Sequence, residues 1–167
     1  IRLTENGEPF QEADGELSLY APGHGDLPWA LERSGVGNEL RKRSVDVVFV
    51  SNVDNLGCIL DPGPIGIHLG SKNPMTAELV ERLPTDTGGA PARVDGVDQL
   101  VEGFRLPASF DPNTLTGFNT NTFYFDWRAL DARIELGFYP VSKTVGDKPA
   151  VQFERIVGEL SKHVACG

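Results

Sequence analysis

The feature that most constrains this 167-residue chain is Val45-Asp46-Val47-Val48-Phe49-Val50, which runs straight into Ser51-Asn52-Val53-Asp54-Asn55-Leu56-Gly57. A short β-branched apolar run without helical spacing reads as a strand buried on both faces, the usual centre of an α/β sheet. The polar loop then lies at the strand's C-terminal end, where open α/β sheets bind their ligands. Just beyond, Asp61-Pro62 supplies an N-cap and a first-turn proline, which predicts a short helix over 62–70.

The rest of the chain fills in around that strand. Met75–Leu83 looks helical locally, yet its position between two loops suits a strand. Leu100–Leu106 and Asn121–Asp126 read as strands, the second rich in Thr and aromatics. Trp127–Ile134 reads as a helix. Val151, Phe153, Ile156, Val157 and Leu160 recur at helical spacing, which predicts an amphipathic helix over 150–164. The order predicts one α/β domain with a mixed sheet.

Composition narrows the function classes. Hydrophobic residues make up 40% and charged residues 23%, a globular balance. No apolar stretch approaches the roughly 18 residues of a membrane span. With 15 Lys+Arg against 24 Asp+Glu the net charge is −9, which argues against nucleic acid or an anionic membrane as a partner. A small anion is still admissible, since backbone amides or a metal ion can hold phosphate. The 19 Gly and 12 Pro point to many loops of defined geometry. Cys58 and Cys166 have no metal-ligand spacing and read as reduced thiols of a cytoplasmic protein.

Four segments are candidates for a site. In Pro22-Gly23-His24-Gly25-Asp26, two glycines allow close backbone approach to a ligand beside an imidazole, though a plain Gly-rich turn fits too. Asp54, flanked by Asn52 and Asn55, can hold a Mg²⁺ that bridges phosphate oxygens, or simply close the strand in an Asx-turn. Thr85-Asp86-Thr87-Gly88-Gly89, with Glu102 a strand later, offers close approach and a hydroxyl acceptor, or a hairpin loop. Phe118-Asn119-Thr120-Asn121-Thr122 places two Asn at a strand entry, where Asn is disfavoured. No nucleophile set of the Ser-His-Asp or Cys-His kind can be assembled.

Taken in order, Tyr20–Asp26, Phe49–Gly57, Gly88-Gly89 and Phe118–Asn121 resemble the UTP–glucose-1-phosphate uridylyltransferase family, eukaryote-type group, over nearly the whole chain. The resemblance implies a Rossmann-like nucleotide-diphospho-sugar transferase fold and the Mg²⁺-dependent conversion of UTP and glucose 1-phosphate into UDP-glucose and pyrophosphate. It implies that Gly23, His24 and Gly25 lie along the nucleotide, that Asp54 is the metal carboxylate, and that Asn52 contacts sugar or phosphate. Gly89, Glu102, Asn119 and Asn121 would line the hexose pocket. Gln152 and Glu154 match a Q-x-E pattern near the family's active site.

The family's Gly-rich triphosphate loop has no counterpart here and is expected upstream of Ile1. Residues 1–167 are therefore expected to be the central portion of a catalytic domain, without the C-terminal region, inactive alone, and associating with the missing part or with itself. Val53 departs from the family's Ser in its S-D-N motif and resembles the N-acetylhexosamine pyrophosphorylases, while GHGD and NTN favour glucose. A non-catalytic UDP-sugar-binding module, or a pyrophosphorylase for N-acetylglucosamine 1-phosphate, are the alternatives.

Overall fold

The computed structural model describes residues 1–86 and 88–167. Two short helices open the ordered core, α1 (Leu27–Arg33) and α2 (Val36–Lys42), separated by Gly35 in the left-handed region at φ 77°. They lead into β1 (Val47–Val50), and α3 (Pro62–Ser71) follows, capped as expected by Asp61, whose side chain accepts from Gly63 N–H at 2.6 Å. The remaining strands are β2 (Met75–Glu81), β3 (Ala90–Val94), β4 (Val97–Val101), β5 (Gly117–Asp126), β6 (Tyr139–Val145) and β7 (Lys148–Glu154).

The fold is α/β, with three small sheets: β1-β5-β2, the hairpin β3-β4 and the hairpin β6-β7. Both β1 and β2 run antiparallel to β5, and among the described residues parallel pairing is confined to the single bridge between Met75 and Cys166. The central strand is β5 rather than β1. Its Phe123, Tyr124 and Phe125 are at most 2% exposed, whereas all four residues of β1 are only half-buried. The strand at 45–50 is thus an edge strand: its apolar pattern calls for cover on both faces, and β5 supplies one neighbour only.

Long-range pairing decides Met75–Leu83, which the sequence left open between helix and strand, in favour of the strand, and three other expectations are corrected. Met75–Glu81 is extended because it pairs with β5, Met75 opposite Phe125, which overrides its helical composition. Residues 148–154 form β7, not the start of a helix. Val145 pairs with Lys148 across Gly146-Asp147, and Gly146 at φ 63° supplies the tight turn. The helical spacing of Val157 and Leu160 survives only as a short 3-10 segment, Val157–Lys162, packed on the core. Likewise Trp127–Ile134 shrinks to a 3-10 turn at Trp127–Ala129, and the strand expected over 100–106 ends at Val101 before a turn at Gly103–Arg105.

One core joins these pieces: Met75, Leu100, Phe123, Phe125, Leu130 and Leu160 are among its buried members. Fully burying a side chain of this size contributes about 1.5–3 kcal/mol. The buried Ser161 hydroxyl there is satisfied both as donor and as acceptor. Ser161 Oγ accepts from Leu100 N–H at 2.9 Å and donates to Gly158 O at 2.6 Å, fastening β4 to the 3-10 segment. No helix among the described residues is long and apolar enough to cross a membrane.

Candidate functional site

The site is built around an irregularity in β5. Ala77 faces Phe123 and Leu79 faces Asn119, so two steps along β2 oppose four along β5. The surplus sits in Thr120–Thr122, a bulge in which Asn121 takes a left-handed φ of 60°. Asn adopts that region more readily than most residues, which explains an Asn in a strand. Asn119 Oδ1 accepts from Asn121 N–H at 3.1 Å and holds the bulge, while Asn119 N–H donates to Gly89 O at 2.8 Å. The repeated Asn is therefore structural chemistry: the Asn119 amide holds the bulge beside Gly89, and the Asn121 amide lies against His24.

Gly89 lies between Asn119 and Glu102. A Cβ there would come within 2.9 Å of Glu102 Oε1 and 3.4 Å of Asn119 Nδ2. Glu102 has its carboxyl pushed up from the ordinary range, first by burial; Arg105 opposes this and Glu159 adds to it. Beside Glu102 opens a groove of ≈ 670 Å³ whose walls include Arg82, Gly88, Phe104 and Phe110. Thr87, in the same candidate loop, lies outside the described residues.

The PGHGD loop packs against residues 155–156. Gly25 N–H donates to Arg155 O at 2.9 Å and Arg155 N–H to Pro22 O at 2.8 Å. A Cβ on Gly25 would stand 2.5 Å from the Arg155 carbonyl carbon, and one on Gly23, which has φ 90°, would meet Arg155 backbone too. Both glycines are thus required by the chain's own close approach, which fixes where His24 sits.

His24 Nδ1 accepts from Val157 N–H at 3.0 Å, and its Nε2 lies 3.3 Å from the Asn121 side-chain nitrogen. Burial pushes the imidazole pKa down, with Glu154 acting weakly the other way. A neutral ring accepting at Nδ1 carries its proton on Nε2. Asn121 Oδ1 is buried with no partner; turning that amide by 180° lets Oδ1 accept from His24 Nε2–H. Glu154 in turn is held by Gln152 and, at 3.5 Å, by Lys143.

Glu102, Gly89, Asn119, Asn121, His24 and Glu154 therefore form one row, drawn from four distant stretches of sequence. Asn52 and Asp54 stand apart on the exposed loop after β1, which is tied to the bulge through Asn55 Nδ2 and Thr122 Oγ at 3.4 Å. Among the described residues no three or more His, Cys, Asp or Glu gather as a metal cage. A lone exposed carboxylate still fits a Mg²⁺ that takes most of its ligands from phosphate oxygens and water.

Arg155 escaped the sequence reading. Its guanidinium carbon lies 3.4 Å from the Trp29 ring centroid and 4.1 Å from that of Phe138, and 3.4 Å separates its Nη1 from Asp26 Oδ1. The signal was its place directly after Gln152-x-Glu154.

Superposition on solved structures defines the class first. A structure described as a UDP-N-acetylglucosamine pyrophosphorylase from Entamoeba histolytica matches 98% of this chain and 46% of its own, with TM-score 0.83 and 17% identity. A variant of UDP-glucose pyrophosphorylase from Leishmania major in complex with UDP-glucose matches 96% of this chain and 40% of its own, with TM-score 0.75 and 26% identity. The chain thus has the α/β fold of the nucleotide-sugar pyrophosphorylases. More narrowly, the family model described as UTP--glucose-1-phosphate uridylyltransferase matches residues 4–165, and the chain belongs to that family. Uridylyltransferases from Encephalitozoon cuniculi and Solanum tuberosum are 27% and 28% identical over 95% and 92% of the chain. The chain spans 35% of the length of each.

Proposed function

We propose that residues 1–167 are the sugar- and metal-binding central portion of a cytoplasmic uridylyltransferase that makes UDP-glucose and pyrophosphate from UTP and glucose 1-phosphate. The observation that carries this is the row Glu102–Gly89–Asn119–Asn121–His24–Glu154, assembled by a β-bulge and two glycine loops in a chain of this family. In the reaction a phosphate oxygen of the sugar phosphate attacks the α-phosphorus of UTP, and the bond to the departing pyrophosphate breaks. Such chemistry needs positioning and charge neutralisation rather than a protein nucleophile.

In this scheme the Asn119 and Asn121 amides and the Glu102 carboxyl read sugar hydroxyls, offering donors and acceptors side by side. Neutral His24 and the Gly23 and Gly25 backbone face the nucleotide. Asn52 contacts sugar or phosphate. Asp54 would hold Mg²⁺, which when bound supplies positive charge at the phosphates. The unpaired thiols of Cys58 and Cys166 agree with a reducing compartment.

The apolar side chains of Val53, Leu56, Ile59, Leu60, Ile67 and Leu69 are all more than half exposed, beside the open edge of β1. We assign that face to the remainder of a family-length protein; copies of the 167-residue chain alone would cover it with one another. Two measurements on that chain test the scheme. UDP-glucose should outcompete UDP-N-acetylglucosamine in binding. Turnover of UTP and glucose 1-phosphate at about 1–10³ s⁻¹, the range of complete enzymes, would show that the portion suffices and overturn the division of labour.

A further inference from the structure

Glu159 is a charged side chain that the reaction scheme leaves idle, and it is only 2% exposed. A buried carboxylate is costly unless cations and donors surround it. Here the Tyr139 hydroxyl and the Lys162 ammonium donate to Glu159 Oε1, and Arg105 Nη1 stands 2.9 Å from the same oxygen. Burial, and then the bond to Glu159, push the Tyr139 hydroxyl up to about 12, so it stays a neutral donor. The Arg105 contact differs from the other two: it is an ion pair without hydrogen-bond alignment. Charge, rather than a directed bond, holds that guanidinium in place.

Arg105 belongs to the same turn as Glu102. The 3-10 turn Gly103–Arg105 follows Glu102 directly, and Arg105 N–H donates to Glu102 O at 2.9 Å. One such turn brings side chains three apart towards one another, which makes Glu102 the near competitor for the Arg105 guanidinium. Among the described residues, however, Glu102 has no ion-pair partner, and its side chain does not cap the turn. Its carboxyl lies instead beside Gly89. The guanidinium is drawn the other way, its carbon 5.6 Å from the ring centroid of Tyr139, which is itself bound to Glu159.

We propose, resting on the reading of Glu102 as a sugar contact, that Glu159 is a positioning residue: it claims the Arg105 guanidinium and so keeps the Glu102 carboxyl unpaired for a hydroxyl of the hexose. The charged groups that face Glu102 are Arg105 of its own turn and Glu159 of the 3-10 segment packed on β4, with Arg82 and Asp86 also on the groove wall. Lys162 and Tyr139 are engaged with Glu159. Without the charge at 159, Arg105 turns to Glu102; without Arg105, nothing in the turn competes for the carboxyl.

The test follows the Glu102 side-chain carboxyl by ¹³C NMR against pH in the 167-residue chain, with Glu102→Gln identifying the signal. Glu159→Gln should move the Glu102 titration to lower pH, since a repelling charge is lost and Arg105 is gained. Arg105→Gln should move it to higher pH, since the attracting charge is lost and Glu159 remains. A merely structural loosening would expose Glu102 in both variants and move both downward. At neutral pH, Glu159→Gln should weaken UDP-glucose binding about tenfold, the effect of losing one hydrogen bond to a charged group, and Glu159→Gln combined with Arg105→Gln should restore it. An unmoved titration in Glu159→Gln, a downward move in Arg105→Gln, or no recovery in the double variant would overturn the positioning role. Should Glu159→Gln fail to fold, Arg105→Gln decides by itself, through an upward titration with undiminished UDP-glucose affinity. Titrations that move as stated while Glu102→Gln binds UDP-glucose as wild type does would instead overturn Glu102 as a sugar contact and leave the ion-pair assignment standing.

Discussion

Protonating His24 costs a hydrogen bond as well as desolvation, because Nδ1 already accepts from Val157 N–H. Its pKa lies below the ordinary 6.5, so as pH falls the unfolded chain takes up this proton before the folded one does. The stability it contributes is complete above about pH 6.5 and declines as pH falls through the folded value. Burial lowers the His68 pKa in the same direction, against the opposing charge of Asp126. Comparing wild type with His24→Gln by urea unfolding cancels that shared part. The stability difference should shrink between about pH 7 and pH 5, and a pH-independent difference would remove His24 from this role. Gly25 makes a second residue-scale test. Gly25→Ala forces a methyl into Arg155–Ile156 backbone and should cost about 1–3 kcal/mol or more, whereas Gly57→Ala, whose nearest neighbour would be 3.6 Å away, should stay within about 0.5 kcal/mol.

At the scale of elements, the β5 bulge separates backbone from chemistry. Asn121→Gly keeps the left-handed conformation and deletes the amide, so folding stability should change little while UDP-glucose binding falls. Asn121→Leu adds a steric penalty of about 1–2 kcal/mol at that φ. Equal unfolding midpoints for the two variants would contradict the bulge geometry. The elements also show what the sequence made legible. The Asp61-Pro62 cap and the β-branched run before Ser51 were readable because their signals are local. The register of β2 was not, since Met75–Glu81 becomes a strand only by pairing with the distant residues Gly117–Phe125. For 150–164 the apolar positions fit two periods, and the turn at Gly146-Asp147 was the missed arbiter. The four site segments were legible as motifs; that three of them meet at one bulge while Asn52 and Asp54 stand apart was not, because it depends on hydrogen bonds between Asn119 and Gly89 and between the PGHGD loop and Arg155.

For the molecule as a whole, an edge strand without polar alternation lies beside six strongly exposed aliphatic side chains, far more apolar surface than scattered exposure accounts for. Sedimentation of the 167-residue chain should show concentration-dependent association, and Leu56→Glu with Ile59→Lys should suppress it. A wild-type monomer at all concentrations would contradict the assignment of that face. The net charge of −9 takes a different meaning on this scale. The row of proposed sugar contacts combines amides, an imidazole whose pKa burial lowers, a Glu102 carboxyl raised by burial, and Glu154, which is paired with Lys143. Phosphate neutralisation at that end would then fall to Asp54-bound Mg²⁺ and to residues of the remaining length.

In the proposed function, Glu102, Gly89, Asn119, Asn121 and His24 form one sugar-nucleotide surface. Amide chemical-shift mapping of the 167-residue chain with UDP-glucose and Mg²⁺ tests it most directly. Saturable shifts are expected at Gly25, Gly89, Glu102, Asn119 and Asn121 together, reduced at Asp54 and its neighbours when Mg²⁺ is withheld. Saturable binding that leaves the 119–122 bulge unmoved would contradict it.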